Sequence, residues 1–452
     1  MKTITIDPIT RLEGHGKIEI FLNEDGNVEN AYLQIPELRG FERFCEGRKA
    51  EDMPIITPRI CGVCPVAHHL AATKTLDAAY GVEPTETASK LRELMNCGYF
   101  IYDHTLHFYF LAAPDFVVGP DAPPSERNIF GVLKKVGLDV GREIIKHRAY
   151  GQRITETFGG KATHPTCGIP GGISKGLNEE ERQSIEDMAR SSVEFAKFSL
   201  GIFNDVVLSN QDYVDLILSD PYQLKTYNMG LVDDNNHVNF YGGDIRVTDQ
   251  QGKEYVKFVE QDYLDHVCEH VEPWTYSKFT YLKGVGWDGF TDGPRSGIFR
   301  VGPLGRLNAA DGMATPQADE EYKRMYKTLG GRPIQSTLAF HWARLVELLY
   351  AAERAVELAT DPGITGTDLR NPVGEPGEGV GVVEAARGTL IHHYKLDQEG
   401  IIKKVNLVVA TTMNYADICM SIRDAAKGLI KNNNVNEGLL NMVEMAFRAY
   451  DP

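Results

Sequence analysis

Two cysteines stand three residues apart in Arg59-Ile60-Cys61-Gly62-Val63-Cys64-Pro65-Val66-Ala67-His68-His69. The Ala-rich apolar run from Val66 to Tyr80 predicts a helix, so the pair sits where a loop enters a helix. Such a junction can aim both sulfurs at one point. Arg59 and a helix N-terminus both favour the thiolate, the form that binds soft metals. His68 follows Cys64 by four residues and faces the same side one turn on. Spacing alone leaves three chemistries open for the pair: a redox couple, half of a zinc site, or a rarer soft-metal site. Two carboxylates lie beside glycines, Glu13 in Arg11-Leu12-Glu13-Gly14-His15-Gly16 and Glu42 in Arg39-Gly40-Phe41-Glu42. On spacing alone each reads as a solvated loop acid.

Long helical patterns must position these groups. Glu86 to Ala113 keeps helical apolar spacing and stops at Pro114. Glu126 to about Phe158 is a second pattern, ended by Gly159-Gly160. Asn178 with Glu181 three residues later predicts a capping box at the start of a helix reaching Asn210. Leu338 to Thr360 is a fourth, closed by Asp361-Pro362-Gly363, and Val435 to Tyr450 is amphipathic to its end. The four long patterns predict a bundle whose helices pack along their full length. Strands are predicted at 2–6, Lys17–Leu22 and Val28–Gln34, the last two around the turn Glu24-Asp25-Gly26-Asn27. Residues 225–262 and 378–412 are strand-rich, and 286–308 and 361–379 are Gly/Pro-rich loops. No linker divides the chain, which predicts one integrated domain over 1–452.

The 452 residues carry a formal net charge of −16 and are 42% hydrophobic, so the chain has a globular composition with no basic patch suited to nucleic acid. Its longest apolar runs fall short of a membrane span. The seven cysteines are odd in number and scattered, which suits a reducing compartment. Cys97, Cys167, Cys268 and Cys419 read as small buried hydrophobes. The start, Met1-Lys2-Thr3-Ile4, has no signal-peptide core, which favours the cytoplasm, although a partner's signal can export a subunit. Gly377 to Gly388 lacks the third glycine of a dinucleotide fingerprint, and no phosphate loop or nucleophile elbow is present.

Several ordered motifs run from end to end. They are Asp7-Pro8-Ile9-Thr10-Arg11-Leu12-Glu13-Gly14-His15, Arg39-Gly40-Phe41-Glu42, Arg59-x-Cys61-Gly62-x-Cys64-x-x-x-His68, and His164-Pro165 before Pro170-Gly171-Gly172. Val301-Gly302-Pro303-Leu304, Glu384-Ala385-Ala386-Arg387-Gly388 and Asp451-Pro452 complete the set. On these the sequence resembles the large subunit of a nickel–iron hydrogenase, most of all the cytoplasmic methyl-viologen-reducing branch associated with heterodisulfide reductase. The resemblance implies an α+β, mainly α fold, with a long central helix bundle and small peripheral sheets. It implies nickel held by four cysteines, an iron with CO and CN ligands, and a structural magnesium. Carried over residue by residue, Cys61 and Cys64 are nickel ligands, with Cys64 bridging to iron. His68 is the histidine that hydrogen-bonds a cysteine sulfur, and Glu13 is the first proton relay. Arg387 is the guanidinium over the open metal position, Asp115 and Asp451 are its partners, and Glu42 is a magnesium ligand. H2 is the implied substrate. An iron–sulfur small subunit, an iron–sulfur adaptor and heterodisulfide reductase are the implied partners, with clusters in the partners only.

The family pattern places its third cysteine directly after Pro452, where the sequence ends. Three readings follow. A selenocysteine codon is read as a stop, the remaining ligands come on a separate small peptide, or the chain is a non-catalytic structural or adaptor subunit that keeps the fold without the metals. A lone zinc half-site at Cys61 and Cys64 is a further, weaker reading.

Overall fold

The computed structural model describes residues 2–37 and 39–452. An antiparallel sheet opens the chain: β1 (Lys2–Ile6), β2 (Lys17–Leu22) and β3 (Val28–Gln34). In β2 alternate residues Ile18, Ile20 and Leu22 are buried, as a one-sided sheet requires. Two short helical turns, Met53–Ile56 and Thr57–Ile60, lead to the cysteine loop and into α1 (Pro65–Ala79). This helix is buried on nearly every face, which its small residues permit.

The bundle consists of α2 (Glu86–Leu106), α3 (Leu138–Gly159) and α4 (Glu179–Phe203), joined later in the chain by the long helix Phe340–Thr360. The capping box at Asn178 and Glu181 forms with both of its reciprocal hydrogen bonds. Two boundaries differ from expectation. Beyond α2 the chain does not stop at Pro114 but continues as π-helical turns, His107–Ala112 and Pro114–Val118, up to Gly119 at φ 118°. The pattern over 126–158 divides into Ile129–Val136 and α3, because Gly137 at φ 93° breaks the helix between them.

A mixed sheet follows, containing β4 (Tyr227–Val232), β5 (Asp244–Thr248) and β6 (Glu254–Phe258). Within the loop expected over 286–308 lies a buried helix, α5 (Gly302–Ala309), whose Gly/Pro-rich start hid it from periodicity. Then come α6 (Phe340–Thr360) and a three-stranded antiparallel sheet, β7 (Glu378–Ala385), β8 (Gly388–Leu396) and β9 (Ile402–Val408). The helices α7 (Ala410–Leu429) and α8 (Glu437–Arg448) end the chain. One apolar cluster runs from Ile6 to Tyr450 through the bundle. Among the described residues no helix is long and apolar enough to cross a membrane.

Sheet β7–β8–β9 lies against α1. A Cβ on Gly379 would come 2.3 Å from the Ala79 nitrogen, and one on Gly381 would come 2.4 Å from the Thr75 nitrogen. Glycine is needed there because strand backbone touches helix backbone. That contact brings the turn carrying Arg387 toward the cysteine loop.

Candidate metal centre

Cys61 is extended, Cys64 caps α1, and Pro65 occupies the first helical position, where its missing N–H has no cost. The Cys64 backbone N–H donates to the Cys61 sulfur at 3.4 Å. The Cys64 thiol bonded to the Cys61 sulfur holds the Cys61 pKa below the ordinary thiol value, against burial and with help from Arg387. That same bond and burial push Cys64 well up. The two sulfurs are thus pushed in opposite directions, Cys61 toward the thiolate and Cys64 away from it. Every other cysteine is also unpaired.

Beside the sulfurs lies a buried charge cluster. Arg387 donates to Asp103 through Nη1 at 3.1 Å and Nη2 at 3.3 Å, and its Nη2 lies 3.0 Å from Asp451. Burial raises the Asp451 carboxyl to about 7, with Arg387 working against that shift and Asp103 adding to it. The turn bearing Arg387 is clamped from four sides. Arg306 donates to the Ala385 carbonyl at 2.8 Å and the Ala386 carbonyl at 3.1 Å. The Ala386 N–H donates to the Tyr99 hydroxyl at 3.1 Å, and Asn414 donates to the Arg387 carbonyl at 3.1 Å. Gly388 sits at φ 140°, where a Cβ would also strike Val301. Arg306 in turn is held by Glu347 at 2.6 and 2.7 Å and by Glu384 at 2.6 Å, and these three side chains are fully buried. A buried guanidinium with two carboxylates is tolerable only because its hydrogen bonds are made.

Asp115 does not meet Arg387. Asp103, one helical stretch earlier on α2, takes that place. Asp115 accepts from Arg11 at 2.6 Å, from Arg448 at 3.2 Å and from Asn441 at 3.1 Å. Burial pushes its carboxyl up, but Arg448 and Arg11 together outweigh burial and hold it below the usual range. Asp115 stands in the π-helical turn Pro114–Val118, three helical turns past Asp103, and faces the loop of Arg11 and the end of α8 instead. It fixes Arg11, two residues before Glu13, and Arg448, three before Asp451. Asp103 was missed because it stands inside the apolar run Gly98 to Leu106; a charged residue in such a run was the available signal.

Glu13 is solvent-exposed, and its backbone N–H donates to the Pro452 carbonyl at 3.3 Å. Its carboxylate stands 3.1 Å from where a Cβ on Gly62 would be, between the two cysteines. One carboxylate therefore joins the cysteine loop to solvent. His68 makes a different bond from the one expected: its Nδ1 faces His392 Nε2 at 3.1 Å, not a cysteine sulfur, and its Nε2 has no partner. Rotation toward sulfur is opposed by that contact. The neighbouring His69 anchors the loop: it donates from Nδ1 to the Pro54 carbonyl at 2.8 Å and accepts the Gly168 N–H at Nε2, 2.9 Å. Glu42 accepts the Leu407 N–H at 2.9 Å and lines a cleft of about 310 Å³ with Ile60 and Glu269.

The family profile described as Nickel-dependent hydrogenase matches residues 39–122 and 143–427, and one described as HoxL-like matches residues 3–38. The chain belongs to the nickel-dependent hydrogenase family. This hydrogenase chain is 49% identical to an iron–sulfur subunit of the F420-non-reducing hydrogenase of Archaeoglobus profundus, over all of this chain and 93% of that protein. It is 47% identical to a vhu subunit of the F420-non-reducing hydrogenase of Methanocaldococcus jannaschii, over 95% of this chain and 100% of that protein. The structure of an NAD+-reducing nickel–iron hydrogenase in the H2-reduced state matches with a TM-score of 0.94 at 37% identity, covering 100% of this chain and 98% of the other. The nickel–iron–selenium hydrogenase of D. vulgaris Hildenborough shares the fold, with a TM-score of 0.78 at 24% identity, covering 100% and 98%. The chain is thus a hydrogenase large subunit of the expected mainly helical α+β fold, and its family implies nickel and iron at the active site.

The donors present fit that group in part. Cys61 and Cys64 are a soft, preformed pair beside a buried cation. Among the described residues no group of three or more His, Cys, Asp or Glu side chains is placed to hold one ion. Glu42 likewise has no clustered partner for a hard cation.

Proposed function

We propose that this chain is the catalytic large subunit of a nickel–iron hydrogenase that splits or forms H2 heterolytically. The observation that carries this reading is Arg387, held by Asp103 and Asp451 beside the Cys61–Cys64 pair. A nickel–iron group with CO and CN on its iron, when bound, supplies the H2 cleavage. Cys61 and Cys64 would hold it, and Cys64, the more buried sulfur, is the proposed bridge. They supply two of the soft donors such a group needs. Arg387 keeps a fixed positive charge in a water-poor pocket. Glu13, close to Gly62 and open to solvent, exchanges protons between the loop and bulk water. Glu42 offers one carboxylate oxygen to magnesium in its cleft.

Electrons leave through an iron–sulfur small subunit, because this chain has too few clustered cysteines to hold a relay of its own. The curated relatives are named as F420-non-reducing, which fits onward transfer through an iron–sulfur adaptor to heterodisulfide reductase in the cytoplasm, as one integrated domain within a larger complex. A second reading is a structural or adaptor subunit that keeps this fold without the metals. Hydrogen-dependent viologen reduction by the purified complex, with nickel and iron analysis, separates them. Activity with both metals is expected; a stable, inactive and nickel-free complex would overturn the catalytic reading.

A further inference from the structure

The last turn of α8 is held from two bundle helices at once. His107, on the π-helical turn after α2, donates from Nε2 to the Arg448 carbonyl at 2.8 Å. Arg344, one turn into α6, donates from Nη2 to the Ala449 carbonyl at 2.9 Å. Both side chains are wholly buried. Carbonyls at a helix C-terminus have no partner within their own helix, so they need donors from elsewhere. A carbonyl only accepts, which fixes the direction of both bonds. Burial, with Arg344 and His341 adding to it, keeps His107 neutral, so its single N–H lies on Nε2. That hydrogen goes to Arg448, while the Asp451 carboxylate stays 4.0 Å away.

Arg344 is costly to bury. Burial pulls its guanidinium down to about 10, against the charges of Asp451 and Glu347. Its Nε and Nη1 have no hydrogen-bond partner among the described residues, so the Ala449 carbonyl is the one group it grips. A cation there also meets the negative end of the α8 dipole.

Asp451 follows directly on these two clamped carbonyls. It sits at φ 59°, a left-handed conformation that costs a residue with a Cβ and persists where its surroundings impose it. Its N–H donates at 3.1 Å to the Arg448 carbonyl, the one His107 also holds. On its other side the Glu13 N–H donates to the Pro452 carbonyl at 3.3 Å. So bracketed, its carboxylate lies 3.0 Å from Arg387 Nη2.

We infer that Arg344 and His107 are positioning residues that cap α8 and so hold Asp451 against Arg387. The cap stands whatever the chain's activity; its effect on turnover rests on the catalytic reading above.

Hydrogen exchange of the purified complex tests the cap. Arg344→Met keeps the length and removes charge and donors, and His107→Leu removes the imidazole donor. In each, amides 449–451 are expected to exchange at least about tenfold faster while those of α4 keep the parent rate. Unchanged exchange at 449–451 in either folded variant overturns the part given to that residue. Arg344→Lys and His107→Gln keep one donor each and are expected to restore most of the protection; no restoration overturns the cap. Hydrogen-dependent viologen reduction by Arg344→Met is expected to fall about tenfold in kcat with KM for H2 unchanged. Added to Asp451→Asn, it is expected to cost no further turnover, because it acts through that carboxylate. A fully additive loss, or undiminished turnover with a frayed cap, overturns the positioning role. A parent complex without turnover would sink the catalytic reading and leave the exchange result to decide the cap.

Discussion

Arg387 and Asp115 show how much a single side chain's partners decide. Arg387 meets Asp103 with both terminal nitrogens and Asp451 with one. A lysine offers one point charge and cannot make the fork. Arg387→Lys is therefore expected to leave the melting temperature nearly unchanged while lowering hydrogen turnover about 10²-fold, the scale of a misplaced group; turnover within a few-fold of the parent would contradict the role given to the guanidinium. Asp115 is different. Arg11 and Arg448 both converge on it in a buried setting. Asp115→Ala leaves Arg11 without its ion-pair partner and Arg448 with Glu444 alone. It should cost about 3–5 kcal/mol of stability, as breaking a buried pair does, measured by denaturant unfolding. A loss below about 1 kcal/mol would show that the pairing is not structural.

At the scale of elements, the run Gly377 to Gly388 lacked the spacing of a nucleotide loop, and the structure gives its glycines a packing reason. Gly379 and Gly381 let β7 touch α1 backbone to backbone. Gly381→Ala adds a methyl 2.4 Å from the Thr75 nitrogen, so strand and helix must part. The expected loss is about 1–3 kcal/mol. Turnover should fall further than stability, because the Arg387 turn moves with β7. Equal melting and equal turnover would refute the claim that this contact sets the site. The helix α5 works on the same turn from the other side, since Arg306 reaches from it to the Ala385 and Ala386 carbonyls.

Across the whole molecule, buried imidazoles set the response to acid. Burial lowers His69 and His104 to about 4 and His341 to about 3. Each is neutral in the folded state, whereas the unfolded chain takes up a proton near pH 6.5. Their stabilising contribution is complete above pH 6.5 and is lost as pH falls from there toward 4. Each depressed imidazole removes about 1.4 kcal/mol per pH unit in that window. Asp417, raised to about 6 by burial against Arg300, and Asp451 run the opposite way over part of it. His68 is also lowered to about 4, and His107 and His392 well below their ordinary value, so the imidazoles outweigh the two acids. Urea unfolding at pH 7.5, 6 and 5 should show stability falling steeply, by more than about 3 kcal/mol per pH unit at the acid end; a flat profile would contradict burial as the controlling term.

The sequence by itself determined the family, the cysteine loop at the head of α1, the β2–β3 hairpin and the capped long helix. Each is written in local terms: ordered motifs, period-two or helical spacing, a turn, a cap. It also named Arg387 and Asp451, because their motifs are contiguous. Only the tertiary structure decided which acid answers Arg387. Which carboxylate along a long helix meets a distant arginine is not written in a 3.6-residue pattern, so Asp103 and not Asp115 pairs with Arg387. Only tertiary structure showed that His68 turns to His392, a partner 324 residues away. The helix at Gly302 was hidden for the same reason, since its start obeys the close approach of the Arg387 loop and not an amphipathic rhythm. Local signals fix elements; contacts between distant elements fix which polar group meets which.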